Sequence, residues 1–130
     1  MRRAFAVDTE AFVQGVFKSD SNVRYVAIVN NDFRLLVSRQ RPGIASLTSE
    51  ETEHNFMSIM PPIIVDAVEK LQPFLGLMQV LAVRYEQVLL MFHRVGNMVV
   101  VISFQSEVTT PFITKANEEF EKLSKQHLAQ

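Results

Sequence analysis

The segment "MVVVISF" (98–104) constrains the fold more than any other, because its apolar residues do not alternate with polar ones. A strand with one face in water shows that alternation, whereas a strand covered on both faces is apolar along its length. The segment "VRYVAIV" (23–29) also carries apolar residues on both of its faces. The sequence therefore predicts two central strands in a sheet that has helices on each side.

Three more segments have the composition of strands and lie beside short turns. "FRLLVS" (33–38) follows the segment 23–29 after "NND", and Asn and Asp tolerate the left-handed backbone that a tight hairpin requires. "LMQVLAVRY" (77–85) and "QVLLMFHR" (87–94) come later in the chain, and "VGN" separates the second of them from the next strand. We expect an antiparallel hairpin first and three more strands after it.

Helical spacing of apolar residues occurs in three places, two of which lie near the ends of the chain. The first helix is expected at residues 8–18, with Asp8 or Thr9 as its cap. The last helix is expected to begin with Thr110 as its cap and with Pro111 in the first helical position, where proline is tolerated.

The middle helix is the longest of the three and runs from Thr48 to about residue 74. Thr48 and Glu51 have the spacing of a capping box, and Gly76 terminates the helical pattern. The order α-β-β-α-β-β-β-α predicts one α+β domain over residues 1–130, with a five-stranded antiparallel sheet and helices on both of its faces.

Pro61 and Pro62 lie in the middle of that long helix. Proline has no N–H group and its ring clashes with the carbonyl four residues back, which costs about 3 kcal/mol inside a regular helix. The helix is therefore expected to kink sharply near residues 57–61, or to end near Met60 so that a second helix begins at the prolines.

Apolar residues around the prolines form two stripes, although a helix on a sheet needs only one stripe of about 100°. One stripe consists of Phe56, Met60, Ile63, Ala67 and Leu71, and the other of Met57, Ile64, Val68 and Leu75. The surplus requires a cover, which is either another part of the same core or another chain. Two short helices that bury separate faces in one core would also explain the pattern.

The composition of the 130 residues indicates a globular chain, with 48% hydrophobic and 21% charged residues and a net charge of −1. This charge provides no field that would attract nucleic acid or an anionic membrane. The absence of cysteine excludes disulfides and thiolate chemistry and suits the cytoplasm. No apolar run is long enough to cross a bilayer, and the start, "MRRAFAVDTEAF", has no signal-peptide character, so we expect a cytoplasmic protein.

Catalytic and metal-binding patterns do not occur in the sequence. His54, His93 and His127 have no paired ligand spacing, and His93 is interpreted as a half-exposed partner of a neighbouring polar group. No phosphate-binding loop, dinucleotide fingerprint or nucleophile elbow is present. We therefore expect no catalytic residues, no metal and no cofactor.

A basic loop is the one local concentration of positive charge, with Arg34, Arg39 and Arg41. It could contact phosphate or an acidic partner, but no aromatic residues are interleaved with the arginines as nucleic-acid binding would favour. Arg39 and Arg41 are expected to be solvated or to pair with the acidic start of the middle helix.

The element order resembles that of the roadblock/dynein-light-chain domain, a relative of the profilin-like and longin-like folds. "VRYVAIVNNDFRLLVS" is similar to the opening hairpin of that family, and "VLAVRYEQVLLMFHRVGNMVVVISF" to its last three strands. The turn at residues 85–88 also resembles one in a group of archaeal roadblock-like proteins. The resemblance implies the sheet order 2-1-5-4-3, with the middle helix on one face and the terminal helices on the other. The double proline departs from the family pattern.

The resemblance also implies a homodimer in which the middle helix and the edge strand after it pair with the same elements of a second copy. The edge strand 77–85 is long and apolar, with little besides Gln79 and Arg84 to protect it, which invites strand pairing. The residues expected at the partner interface are Met57, Met60, Ile64, Val68, Met78, Gln79, Leu81 and Val83.

The function implied by this resemblance is that of a non-enzymatic, homodimeric scaffold or regulatory module. Its partners in that case would be a small Ras-like GTPase or a signalling complex. The alternative is a PAS-like or profilin-like sensor that binds a small molecule or peptide between the sheet and the helices, with the methionine-rich joint around Pro61 as its gate.

Overall fold

Four helices and five strands make up the described part of the chain, residues 7–105 and 107–128 of a computed structural model. The first six residues, part of the segment interpreted as having no signal-peptide character, lie outside this range. The elements are α1 (Thr9–Ser19), β1 (Val23–Asn30), β2 (Leu35–Gln40), α2 (Glu50–Glu69), α3 (Gln72–Leu75), β3 (Leu81–Arg84), β4 (Val88–Val95), β5 (Met98–Gln105) and α4 (Thr110–His127).

The five strands form one antiparallel sheet in the order β2-β1-β5-β4-β3, which confirms the expected order. β1 and β5 lie in the middle and pair along most of their lengths, from Val23 opposite Phe104 to Asn30 opposite Met98. Every residue of β5 except Gln105 is buried. The segments without alternation are therefore the two strands that are covered on both faces.

The terminal helices α1 and α4 cover one face of the sheet. Phe12, Phe104 and Phe120 are fully buried there, in a core that the two helices share with the sheet. The helices approach each other closely at Gly15, where an added Cβ atom would lie 2.9 Å from Cδ2 of Leu123. A glycine inside a helix is unfavourable, so this close packing is the reason for its position.

The other face of the sheet is covered by α2, which is one continuous helix with both prolines inside it. Met57, Pro61 and Val65, spaced by four residues, lie on one side of the helix and are buried, as is Pro62. The expectation of two separate helices is wrong, because the apolar proline rings pack inward as core residues. Proline cannot donate to the carbonyls of Met57 and Ser58, so the expected bend at this point remains a prediction.

Helix ends differ from the expected ones by a residue or a turn. Asp8 caps α1 as predicted, and its Oδ1 accepts the Ala11 N–H at 2.9 Å. The cap of α2 is Ser49 rather than Thr48, and its Oγ accepts the Thr52 N–H at 3.1 Å. The cap of α4 is Thr109 rather than Thr110.

The end of the middle helical region also differs. α2 ends at Glu69, a separate turn of helix forms α3, and Gly76 with a φ of 90° redirects the chain after α3. This φ lies in the region where glycine is strongly favoured.

The strand β3 has only four residues, so the prediction of a strand over 77–85 is wrong in length. The register with β4 stops at Leu81 opposite Phe92. Before that point, the Met78 N–H donates to Oε1 of Gln72 at 2.9 Å, and Nδ2 of Asn117 donates to the Gln79 carbonyl at 3.2 Å. Side chains from α3 and α4 thus bind backbone groups of the segment that precedes β3.

His93 is partly exposed, as expected, but its imidazole packs on an aromatic ring and not on a polar group. It lies on the side of β4 that faces α4, and its ring packs edge-to-face on Phe120 with 5.7 Å between centroids. Its Nε2 atom is buried and has no hydrogen-bond partner among the described residues. Burial disfavours the charged form and lowers the pKa of His93 from 6.5 to about 4.

This lowered pKa predicts a loss of stability in mild acid. Between pH 6.5 and about pH 4 the unfolded chain binds a proton that the folded chain does not, so the free energy of unfolding falls as the pH falls. Urea unfolding at pH 7.5 and pH 5 should differ by about 2 kcal/mol through this group. His93→Leu should remove most of that difference, while His54→Gln on the exposed surface should retain it. An unchanged pH dependence in His93→Leu would contradict the assignment.

Candidate interaction surface

The side of α2 that faces away from the sheet is apolar. Ile59, Ile63 and Ala67 recur every four residues, are exposed, and lie on the side of the helix opposite Met57 and Val65. Ile63 is 47% exposed in the middle of a helix whose other face is core. Exposed isoleucines in a row are the kind of surface that a partner covers.

Further exposed apolar residues follow the end of α2. Phe74 and Leu77 are 82% and 80% exposed, on α3 and on the segment that leads into β3. Complete burial of one such side chain is worth roughly 1.5–3 kcal/mol, so several together could support association. We call this the α2–α3 surface; its residues are Ile59, Ile63, Val68, Leu71, Phe74, Leu75, Leu77 and Val80.

A cluster of ion pairs holds α2 in this orientation. Arg94 on β4 pairs with Asp66, and its Nη2 donates to Oε1 of Glu69 at 3.1 Å. Its Nη1 also donates to Oδ1 of Asn31 at 2.8 Å in the β1–β2 turn. The pair with Glu69 is partly shielded from water, because the Arg94 and Glu69 side chains are 20% and 22% exposed, whereas Asp66 is largely exposed. Rotation of α2 that would bury its outer isoleucines would break them.

The residues expected at a partner interface fall into three groups. Met57 is 8% exposed and packs in the core beneath α2, which corrects the expectation that it faces a partner. Val68 and Gln79 are exposed. The half-buried members are Met60, Ile64, Met78, Leu81 and Val83.

Several exposed residues of the α2–α3 surface are absent from the expected interface, among them Ile59, Phe74 and Leu77. Counting the prolines as apolar core residues would have identified the inner face as Met57, Pro61 and Val65, and hence the outer face as well. An interpretation of the prolines only as helix breakers misses this face.

The edge of the sheet next to this surface is β3. It pairs with β4 on one side, and no strand within residues 7–105 and 107–128 pairs with the other. Leu81 and Val83 pack toward α2, and Nη2 of Arg84 donates to the Val108 carbonyl at 2.6 Å. A short edge strand is a common protection against uncontrolled pairing, so β3 supports a partner interface less strongly than the long strand expected from the sequence.

A cleft of about 630 Å³ lies between the first half of α2 and the sheet. Phe56, Met57 and Leu90 contribute apolar walls, and Tyr25 lies in the lining with its hydroxyl 2.7 Å from Oγ of Ser38. Burial raises the pKa of Tyr25 from 10 to about 12. This cleft has the size and the mixed lining of a small-molecule site.

An open groove of about 740 Å³ adjoins the cleft beside β2. The start of α2 contributes Glu50, Glu51 and Glu53 to its lining. Partial burial, followed by the nearby charge of Glu50, raises the pKa of Glu53. The groove is therefore a region of concentrated negative charge.

The arginines of the basic loop do not neutralise this charge. Arg39 pairs with Glu10 of α1, on the opposite face of the sheet. Arg41 donates to the carbonyls of Phe17, Asp20 and Val23 at 2.6–3.0 Å and lies over the Phe17 ring. The expectation that these arginines pair with the start of α2 is wrong, because both are bound to or near α1.

Metal-binding clusters and bilayer-spanning helices are both absent from the described residues. Residues 7–105 and 107–128 contain no group of three or more His, Asp or Glu side chains placed to hold a metal ion. None of the helices in the same part of the chain combines the length and the hydropathy that crossing a bilayer requires.

Comparison with solved structures identifies the fold. A roadblock/LC7 domain from Streptomyces avermitilis superposes with a TM-score of 0.64 at 8% identity, covering 88% of this chain and 92% of that one. MglB from Myxococcus xanthus gives 0.63 at 17% identity, with 95% and 99% covered. An MglB with a tetrameric arrangement gives 0.66 at 13% identity, with 98% and 93% covered.

The chain therefore has the roadblock fold, which confirms the resemblance seen in the sequence. No protein-family model and no curated protein matches the sequence. At these identities the likeness establishes the arrangement of helices and strands and leaves function to be argued from the surface.

Proposed function

We propose that this chain is a non-enzymatic interaction module, a small scaffold or regulatory domain, that pairs with a second copy through the α2–α3 surface. The observation that carries the proposal is the row of exposed isoleucines on α2, opposite a face that is fixed in the core. In a monomer, Ile63, Phe74 and Leu77 are largely exposed to water, which is unfavourable for apolar side chains. A second copy that covers them would remove this unfavourable exposure.

A second copy fits this surface because two neighbouring elements contribute to it. The outer face of α2 and the approach to β3 are joined through α3, so an isologous pair could bury both at once. Of the residues expected from the sequence, Met57 is excluded from the proposed interface, and the others remain in it: Met60, Ile64, Val68, Met78, Gln79, Leu81 and Val83. The tetrameric arrangement named for one MglB structure is consistent with self-association in proteins of this fold.

The partner class we propose beyond the second copy is a small Ras-like GTPase or the signalling complex that contains one. Support comes from the roadblock resemblance of the sequence and from the fold shared with MglB. The apolar surface supplies area for a protein partner rather than groups for a reaction.

Charge placed on the α2–α3 surface should separate the copies. Ile63→Glu with Leu71→Glu is expected to give a folded monomer, because a carboxylate that loses water without a partner is strongly unfavourable. Sedimentation equilibrium in the tens of micromolar should give twice 14.8 kDa for the native chain and 14.8 kDa for the variant. Leu36→Glu with Leu47→Glu adds the same charge at exposed positions elsewhere and should leave the dimer intact.

The native chain, the Ile63→Glu, Leu71→Glu variant and its control also test the partner class. Each is used for affinity capture from a lysate of the source cells, with a GTP analogue or GDP added. A small GTPase should be retained by the native chain and by the control variant, with a preference for one nucleotide.

In the sedimentation experiment, a native chain that is monomeric, or an Ile63→Glu, Leu71→Glu variant that remains dimeric, would contradict the proposed interface.

A sensor function is the second candidate, and the cleft between α2 and the sheet favours it. A small, largely apolar molecule with one hydrogen-bonding group would fit beside Tyr25. Native mass spectrometry should then show a mass above 14.8 kDa that is lost in Val88→Trp, which fills the cleft, and kept in Val80→Trp outside it. The same spectrum without any added mass in the native chain would count against this function.

A further inference from the structure

The outer edge of β2 is a free strand edge at the end of the sheet opposite β3. The Arg41 N–H donates to the Arg24 carbonyl at 2.8 Å, so this is a hydrogen-bonded pair of the β1–β2 ladder. Because such pairs alternate in an antiparallel ladder, Ser38 and Gln40 direct their backbone N–H and C=O groups outward. No strand within residues 7–105 and 107–128 pairs with them. Nη1 of Arg39 donates to the Ser38 carbonyl at 3.1 Å, and an added strand would replace this exposed contact.

The acidic groove lies alongside this same edge. Ser38 and Gln40 line one side of it, and the first turn of α2 lines the other. Ser38 and Gln40 lie opposite Ala27 and Tyr25, whose side chains pack on the α2 face, so the groove opens on that face. A strand added to β2 would direct every second side chain into the groove.

No ion pair in the described part of the chain neutralises the groove, and Arg24, which lines the adjoining cleft with Glu53, donates to the Ala45 carbonyl at 3.0 Å. Glu50, Glu51 and Glu53 have no ion-pair partner there. Arg39 is bound to Glu10 on the other face of the sheet, and Arg41 is bound to carbonyl groups. The groove therefore favours positive charge in whatever occupies it.

We propose that β2 and this groove bind an extended peptide that carries a basic residue at every second position and adds to the sheet as a sixth strand. Its backbone bonds the outward groups of Ser38 and Gln40, and its basic side chains enter the groove toward the first turn of α2. The alternate side chains lie on the face of Val37 and Arg39, where neutral or apolar residues fit best. Strand addition of this kind combines backbone affinity with side-chain specificity.

This site is independent of the proposed dimer, because β2 and β3 are at opposite ends of the sheet. The binding experiment is therefore performed on the native chain and on the Ile63→Glu, Leu71→Glu variant. If the proposed dimer is wrong, the native chain and the variant should both still bind the peptide. If the proposed peptide site is wrong, the native chain should still form the dimer.

The probe is a fluorescein-labelled peptide of seven residues with a Lys-Val repeat. Its binding is measured by fluorescence anisotropy. Glu50→Gln with Glu53→Gln should weaken binding about fivefold, the loss expected for two partly exposed charge pairs. Glu118→Gln with Glu119→Gln removes the same charge from the exposed side of α4 and should change the affinity less than twofold. A Glu-Val peptide should not bind.

Two backbone-methylated peptides separate strand addition from simple charge attraction. Since alternate N–H groups of an added strand face β2, methylation of one alternating set should weaken binding at least about tenfold and methylation of the other set should not. In NMR spectra, the backbone amide resonances of Ser38 and Gln40 should shift when the peptide is added, and the resonance of Ala82 should not. Any of three results would overturn the proposal. They are equal binding of the two methylated peptides, resonance shifts at β3 and not at β2, and an unchanged affinity after the glutamine substitutions.

Discussion

The rotation of α2 about its own axis is the constraint on which the other features of this chain depend. Met57, Pro61 and Val65 fix its inner face against the sheet, and Arg94 ties its C-terminal half to β4 and to the β1–β2 turn. With these contacts in place, the isoleucines at 59 and 63 face away from the core. Both prolines contribute buried apolar rings to this arrangement, although each lacks the N–H group that a helical hydrogen bond requires.

The same rotation gives the two ends of the helix different surroundings. The C-terminal end leads through α3 into an apolar surface next to β3, whereas the N-terminal end places carboxylates next to β2. The self-association and the basic-strand recognition that we propose would therefore use opposite ends of one sheet. A small domain that works as a scaffold benefits from this separation, because two partners bind without competing for the same edge.

The sequence was most informative where burial is complete. The lack of alternation in β1 and β5 identified the two central strands, and the roadblock resemblance supplied the sheet order. It was least informative where a side chain replaces a backbone partner. Gln72 and Asn117 bind the backbone before β3 and shorten that strand, and nothing local to residues 77–80 signals this. The burial of His93 likewise depends on Phe120, which is distant in sequence.

The orientation of α2 and the cover over its outer face can be measured together, because the chain contains no cysteine. The measurement is the rate of thiol labelling in Ile63→Cys and in Val65→Cys as the protein concentration is raised. We expect the thiol at position 63 to react quickly in dilute solution and to become protected as copies associate. The thiol at position 65 should be protected at every concentration. Fast labelling at position 65, or labelling at position 63 that is independent of concentration, would contradict it.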